Sequence, residues 1–415
     1  MTPLLASQPK AAISPKRRGL DWIVLPAICL LTAGIIAGAS EMLARHFFPV
    51  RQVAFQNCFA SNDPNGDAPV KPNGLCWEQM AESPFQAEYR FNSHGHRADA
   101  ELAPKQAGTY RIVLIGSSLT QGLFIPREKT FAATLPAQLS AAAGRNVEVY
   151  NEAFGGKFRG GPFPTPASAQ HFGDILDAQP DLILWVLTPT DLINAMPPSL
   201  AVDSHAANPK PVSSPSGGGL LGKVETLFAK FNFADRFKNR WEQTRTSAAL
   251  KHILLAQESK EEYVQSYLKN EDESGFLQAS PGPAWQSRIQ NFDADIAELT
   301  SRAKAAGVPL AAVYVPNRAQ AAMISMENWP AGYDPFHLER ELRQAVLSDG
   351  ETFVDILPDY RGVAGPERHY FPIDGHPDAD GHAIVSRFLA KELTSGAVPA
   401  LKVTEPPVAA LEPAK

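Results

Sequence analysis

Apolar residues fall into two patterns along this chain. The first is a single long run near the start, Trp22 to Ser40, 19 residues without a charge, close to the length that spans a bilayer. The second begins at Tyr110, where short continuous apolar runs alternate with segments of helical spacing. Arg111–Ile115, Val147–Asn151, Asp181–Leu187, Pro309–Val315 and Thr352–Ile356 are expected as buried strands. Phe131–Ala143, Trp285–Ala306 and Gly381–Leu393 carry the helical period. Strands that read as unbroken apolar runs and alternate with helices predict an α/β fold, a parallel sheet with helices on both faces.

Charge and turn residues set the boundaries. Lys10, Lys16, Arg17 and Arg18 precede the first run, and Glu41, Arg45 and Arg51 follow it. The excess of positive charge before the run makes residues 1–18 a disordered cytoplasmic tail and 19–45 a transmembrane anchor. Everything after it then lies outside, in the periplasm or beyond, on a single-pass cell-membrane protein. Ala37-Gly38-Ala39 supplies the rival reading, a cleaved signal peptide. The length of the run and its continuation into helix-compatible Glu41–His46 favour the anchor. Residues 46–105 are turn-rich and are expected to wrap the edge of a domain at 106–394. A Pro-, Ser- and Gly-rich stretch at 197–219 and an amphipathic one at 220–273 interrupt that domain. Together they predict a helical insertion over about residues 197–280, with Phe228, Phe231, Phe233 and Phe237 set among basic residues. A lid or a surface resting on the membrane is the sharper reading of this insertion. The Ala- and Pro-rich residues 395–415 read as a disordered tail.

Net charge of −6, with basic residues scattered, excludes the electrostatic footprint of a nucleic-acid binder. Cys29 lies in the apolar run, leaving Cys58 and Cys76 as the two cysteines beyond it. In an oxidising compartment these two can pair, a closure worth about 3 kcal/mol. Two thiolates without a CxxC spacing do not make a zinc site.

The candidate chemistry sits at two distant places. Gly116-Ser117-Ser118-Leu119-Thr120-Gln121-Gly122 follows the first core strand directly, and Asp374-Gly375-His376-Pro377 precedes the closing helix. A hydroxyl on a strand-to-helix turn needs an imidazole to take its proton and a carboxylate to orient that imidazole. Separately, the first stretch reads equally well as a helix N-cap and the second as a turn. Gly155 and Gly156 follow the second core strand, and Thr188-Pro189-Thr190-Asp191 follows the third. Both therefore belong to the carboxyl edge of the sheet, where ligands bind in open α/β folds. His369 and His382 flank His376 at spacings that do not suit one helix face, so no metal is expected.

In this order, the stretches resemble the blocks of the SGNH/GDSL hydrolase family, in its membrane-anchored type. The resemblance runs from about Tyr89 to Leu393, apart from a divergent middle, and takes in the approach segment Arg90-Phe91-Asn92-Ser93-His94-Gly95-His96-Arg97. It implies the flavodoxin-like SGNH fold, with no cofactor. By the resemblance, Ser118 is the nucleophile, His376 the base and Asp374 the orienting acid. It also implies backbone N–H groups of Ser118 and Gly156 as oxyanion donors, with Gly155 the alternative to Gly156. Three positions depart from the family pattern. Ser117 stands where aspartate is usual, and Thr190 replaces the asparagine that would donate to the oxyanion. Asp374 lies two residues before His376 instead of three, as it would on an extended segment with both side chains on one side, and Asp355 and Asp359 are spare acids. The implied activity is hydrolysis of an O-acyl ester of a small molecule, lipid or polysaccharide. The alternatives are an O-acyltransferase acting on an exported polysaccharide and a non-catalytic assembly protein on a decayed hydrolase scaffold. Protein partners and oligomeric state are not legible in the sequence.

Overall fold

The computed structural model describes residues 18–58, 71–93, 97–98, 101–153, 169–194 and 240–403. The first element is the helix α1, Arg18–Phe47. Within it, 25 residues from Ile23 to Phe47 are long and apolar enough to cross a membrane, and the large apolar side chains from Ile23 to Ile36 are exposed.

Next comes a small antiparallel sheet, β1 (Arg51–Val53), β2 (Leu75–Gln79) and β3 (Ala87–Arg90), in the order β1-β2-β3. The turn-rich composition of residues 46–105 hides these strands, because each is five residues or fewer. One face of β2 and β3 is buried, and Cys76 on β2 is joined to Cys58 with their Cα atoms 5.8 Å apart. Cys58, Cys76, Ala87, Tyr89 and Phe91 form a satellite core of their own.

The main domain follows the alternation of the sequence. Its elements are β4 (Tyr110–Gly116), α2 (Ser118–Gln121), α3 (Phe131–Ala143), β5 (Val147–Asn151), α4 (Ala169–Asp177), β6 (Leu182–Leu187) and α5 (Pro189–Asn194). After the interruption come α6 (Arg245–Gln257), α7 (Lys260–Tyr267), α8 (Pro283–Ala306), β7 (Leu310–Tyr314), α9 (Arg318–Ile324), α10 (His337–Ser348), β8 (Thr352–Val354) and α11 (Ala379–Glu392). The sheet is parallel throughout, in the order β5-β4-β6-β7-β8. Helix α3 packs on α11, and α8 packs on α10. Right-handed crossovers place these pairs on opposite faces of the sheet. Every residue of β6 and β7 is buried, which is why both strands are unbroken apolar runs.

The expected insertion begins outside the described residues, which also omit Phe228, Phe231, Phe233 and Phe237. Its described part contains α6, α7 and the first turns leading to α8. Thr244 caps α6 through its side chain, and Ser259 with Glu262 forms a capping box on α7. Glu41 of α1 reaches the first turn of α6, accepting from the N–H groups of Arg245 (3.1 Å) and Thr246 (2.9 Å). At the other end of the chain, the tail expected from residue 395 is ordered further. Val398 and Leu401 are buried in the main core, so the apolar side chains of this Ala- and Pro-rich stretch hold it down as far as residue 403.

His382, on α11, is buried and stacked on Phe131 of α3, and its Nδ1 accepts the Phe131 N–H at 3.2 Å. That bond needs the neutral ring. Burial lowers its pKa from 6.5 to about 3. An unfolded chain therefore takes up a proton below pH 6.5 that the folded chain refuses until about pH 3. Stability is full above pH 6.5 and is lost as pH falls, with a slope of up to about 1.4 kcal/mol per pH unit from this group. Urea titrations between pH 7 and 5 should show that slope, and His382→Gln, whose carbonyl can still accept from Phe131, should flatten it. A slope unchanged in the variant would remove His382 as its cause.

Candidate active site

Strand β4 ends at Gly116, and the chain turns sharply into α2. A side chain at Gly116 would meet Thr120 Oγ1 at 2.3 Å and the Val186 carbonyl at 2.7 Å, so only glycine fits between the turn and β6. Ser118 opens α2, where backbone N–H groups have no acceptor within the helix. β4 and β6 are also the neighbours at which the sheet order reverses, the usual ligand crevice of such a sheet.

Ser118 and His376 are 258 residues apart in the chain and meet here, with Ser118 Oγ 2.8 Å from His376 Nε2. The other ring nitrogen, Nδ1, lies 2.5 Å from Asp374 Oδ1. Serine, imidazole and carboxylate are thus aligned on two hydrogen bonds, the geometry of an activated nucleophile. All three are partly accessible: the side chains of His376 and Asp374 are 25% and 26% exposed. The route by which Asp374 reaches the ring differs from an extended segment. Gly375 adopts φ +86°, and residues 371–376 form a loop closed by Phe371 N–H to the His376 carbonyl and Gly375 N–H to the Phe371 carbonyl, both at 2.9 Å. The left-handed glycine folds the acid back under the imidazole, which compensates for the short spacing.

The spare acids are engaged elsewhere. Asp355 pairs with Arg343, and Asp359 with Lys391 at 2.8 Å. His369 stays apart from the Ser118–His376 pair and approaches Asp378 and Asp380, with candidate ligand atoms within 4.8 Å of one another. Spacing among histidines alone does not reveal these two acidic neighbours. Asp378 also caps α11, accepting the Gly381 N–H at 2.9 Å.

The departure at Ser117 has a structural answer. Asp191, at the start of α5, is half-buried and accepts from Thr188 N–H (2.7 Å), Thr188 Oγ1 (2.8 Å) and the Ser117 hydroxyl. Ser117 is therefore a donor here, not a replacement acceptor, and the carboxylate that ties the turns after β4 and β6 together is supplied by Asp191. Burial raises the pKa of Asp191, while its bonds to Ser117 and Thr188 pull the other way. Thr190 is exposed on the first turn of α5. Gly155 and Gly156 lie outside the described residues.

Two supports have roles that the motifs do not state. Arg97 closes the approach segment and is buried, its guanidinium 4.3 Å above the Tyr89 ring. It donates to the carbonyls of Gln121 (3.1 Å), Gly122 (2.5 Å), Ile125 (2.8 Å) and Glu88 (2.8 Å), pinning the loop that leaves α2. Burial lowers its pKa to about 10, which leaves it charged at neutral pH. Phe124, in that loop, has φ +64°, a strained conformation for a bulky residue. Its N–H donates to the Tyr89 hydroxyl at 2.8 Å and its carbonyl accepts from Ser83 at 3.0 Å. Its ring meets that of His376 edge-on at 5.7 Å. The small sheet therefore shapes one wall of the site.

No family model and no curated protein sequence matches the chain. Solved structures are similar to the chain only at a low level. An acetylxylan esterase from Geobacillus stearothermophilus is 11% identical, over 68% of this chain and 94% of its own, at a TM-score of 0.36. An α/β hydrolase from the metagenome of Lake Arreo is 16% identical over 71% and 96%, at 0.34. A structure described as GDSL-like, from Parabacteroides merdae, is 12% identical over 73% and 100%, also at 0.34. Fold rests on the chain's own features, the parallel sheet order β5-β4-β6-β7-β8 with the serine turn after β4 and the Asp-His loop before α11. On those features the chain has a doubly wound parallel α/β fold and resembles the SGNH/GDSL hydrolases.

Proposed function

We propose that this protein is a membrane-anchored serine esterase that cleaves O-acyl esters of a carbohydrate or lipid outside the cytoplasm. The observation that carries the reading is the pair of hydrogen bonds through His376, 2.8 Å to Ser118 and 2.5 Å to Asp374. In this reading Ser118 Oγ attacks the ester carbonyl as its proton passes to His376 Nε2, and Asp374 stabilises the imidazolium that forms. The developing oxyanion is held by the N–H groups of Ser118 and Gly156, with the Thr190 hydroxyl in place of an amide. His376 returns the proton to the departing alcohol, leaving Ser118 acylated. Water then attacks the acyl-enzyme under the same base and restores the serine. A decayed scaffold has no need to keep three side chains in this register.

The test is release of acetate from acetylated oligosaccharides and from a short-chain lipid ester, followed with and without added sugar acceptor. Free acid as the main product supports hydrolysis. Transfer of the acyl group to the acceptor assigns the same residues to a transferase instead.

Two parts of the reading have their own checks. If Thr190 donates to the oxyanion, Thr190→Val lowers kcat by about 10-fold or more with KM little changed, since the bond strengthens in the transition state. Unchanged kcat removes Thr190 from the site. For topology, alkaline phosphatase fused after residue 60 should be active, because the phosphatase works only beyond the membrane. An inactive phosphatase, with a cytoplasmic reporter active at the same position, overturns the orientation.

A further inference from the structure

The loop that carries Asp374 is exposed, and Ile373 within it is 40% accessible. Packing therefore does not fix the position of the acid. Its backbone is held by a carboxylate from the far end of the chain. Glu82 lies in the turn between β2 and β3, with its side chain only 3% exposed. Glu82 Oε1 accepts the Ile373 N–H at 2.9 Å, and Oε2 accepts the Asp374 N–H at 2.9 Å. Oε2 also lies 3.1 Å from the Ile373 nitrogen. On its other side, Oε1 is 3.0 Å from His252 Nδ1 on α6. His252 is held in turn by an edge contact with Phe48 at 5.4 Å.

We infer that Glu82 is a positioning residue for the acid of the triad, clamping the peptide of Asp374 so that its side chain faces His376. This rests on the esterase reading above. Gly375 follows at φ +86° with its N–H on the Phe371 carbonyl, so the loop is closed on one side of the acid and needs a fixed point on the other. Two charge-assisted bonds to consecutive N–H groups supply that point. Placement within about half an ångström is what such a site demands of its supporting residues. The small sheet and the insertion then both contribute to the active site, through Glu82 and His252, although neither bears a catalytic residue.

The full chain in detergent is assayed on p-nitrophenyl acetate, with active sites counted by a fluorophosphonate so that kcat is per labelled serine. Glu82→Gln turns one acceptor oxygen into a donor facing an N–H. It should lower kcat by about 10- to 100-fold with KM within about 2-fold. Glu82→Asp keeps the charge but is one methylene shorter, so it should fall between wild type and Glu82→Gln. Because Glu82 acts only through Asp374, the double variant Glu82→Gln/Asp374→Asn should be no worse than Asp374→Asn, to within about 3-fold. A normal kcat per labelled serine in Glu82→Gln, with only the labelled fraction reduced, means a purely structural role and overturns the inference. So does a double variant in which the two losses multiply. Failure of the parent reading looks different: Ser118→Ala keeps its activity while Glu82 is intact. If Glu82→Gln does not fold, amide exchange in the unaltered chain reads the same contacts. Ile373 and Asp374 should exchange at least about 10-fold more slowly than an open chain, and open-chain rates there overturn the inference.

Discussion

Ser118→Ala should lower ester turnover on the order of 10⁴-fold or more and leave the protein folded, since the side chain is small and only partly buried. His376→Ala should cost as much, because nucleophile and base act as one unit and their losses do not add. Asp374→Asn should cost nearly as much, about 10²- to 10⁴-fold, through loss of ring orientation and of the charge that stabilises the imidazolium. The structure sharpens this last expectation. Asp355 and Asp359 are tied to Arg343 and Lys391, so among the described residues neither is free to take over. Ser117→Ala is the informative control. It removes a donor to Asp191 and not the nucleophile, so activity should survive at a reduced level. Turnover that persists in Ser118→Ala but is abolished in Ser117→Ala would move the nucleophile by one residue.

The second large effect lies at Arg97. Four backbone carbonyls converge on its guanidinium, and Arg97→Met leaves all four in a buried place without that donor. Each buried acceptor left unsatisfied costs about 1–3 kcal/mol. Relaxation will recover part of the sum, so a net loss of about 3–5 kcal/mol is expected, comparable to breaking a buried ion pair. Urea unfolding should show it as a lower midpoint at unchanged slope. Arg97→Lys should rescue little, because one ammonium cannot span acceptors on β3 and on the loop after α2. The rate of Ser118 acylation should fall as well, since Phe124 and its contact with His376 hang on the same loop. A variant of near wild-type midpoint would show that the approach segment is not structurally required.

Legibility in the sequence followed the range of the interactions. Strands β4, β6 and β7 announced themselves because each is a run of buried residues, and β5 and α3 run over the residues that the pattern assigned to them. The serine turn and the Asp-His loop were legible because their chemistry needs particular residue types close together. The small sheet was not, since strands as short as Ala87–Arg90 give too few alternations to stand out from turn-rich surroundings. Ser117 was legible only as a departure from the usual aspartate, and only the fold shows that its partner carboxylate comes from Asp191 after another strand. Glu82 was silent for the same reason: it acts on residues brought near by tertiary structure, and a lone Glu in a loop carries no pattern. Arg97 stood out only as the end of the approach segment, without the carbonyls it binds. The left-handed turn at Gly375 was hidden too, because a glycine between two functional residues fits an extended segment equally well.

In the proposed reaction Ser118 is a live nucleophile activated by His376. The most direct measurement is reaction of the intact chain with a fluorophosphonate probe, followed by proteolysis and mass mapping of the adduct. One adduct per chain is expected, on Ser118, formed slowly or not at all in His376→Ala. No adduct on the folded chain, or an adduct on another serine, would contradict it.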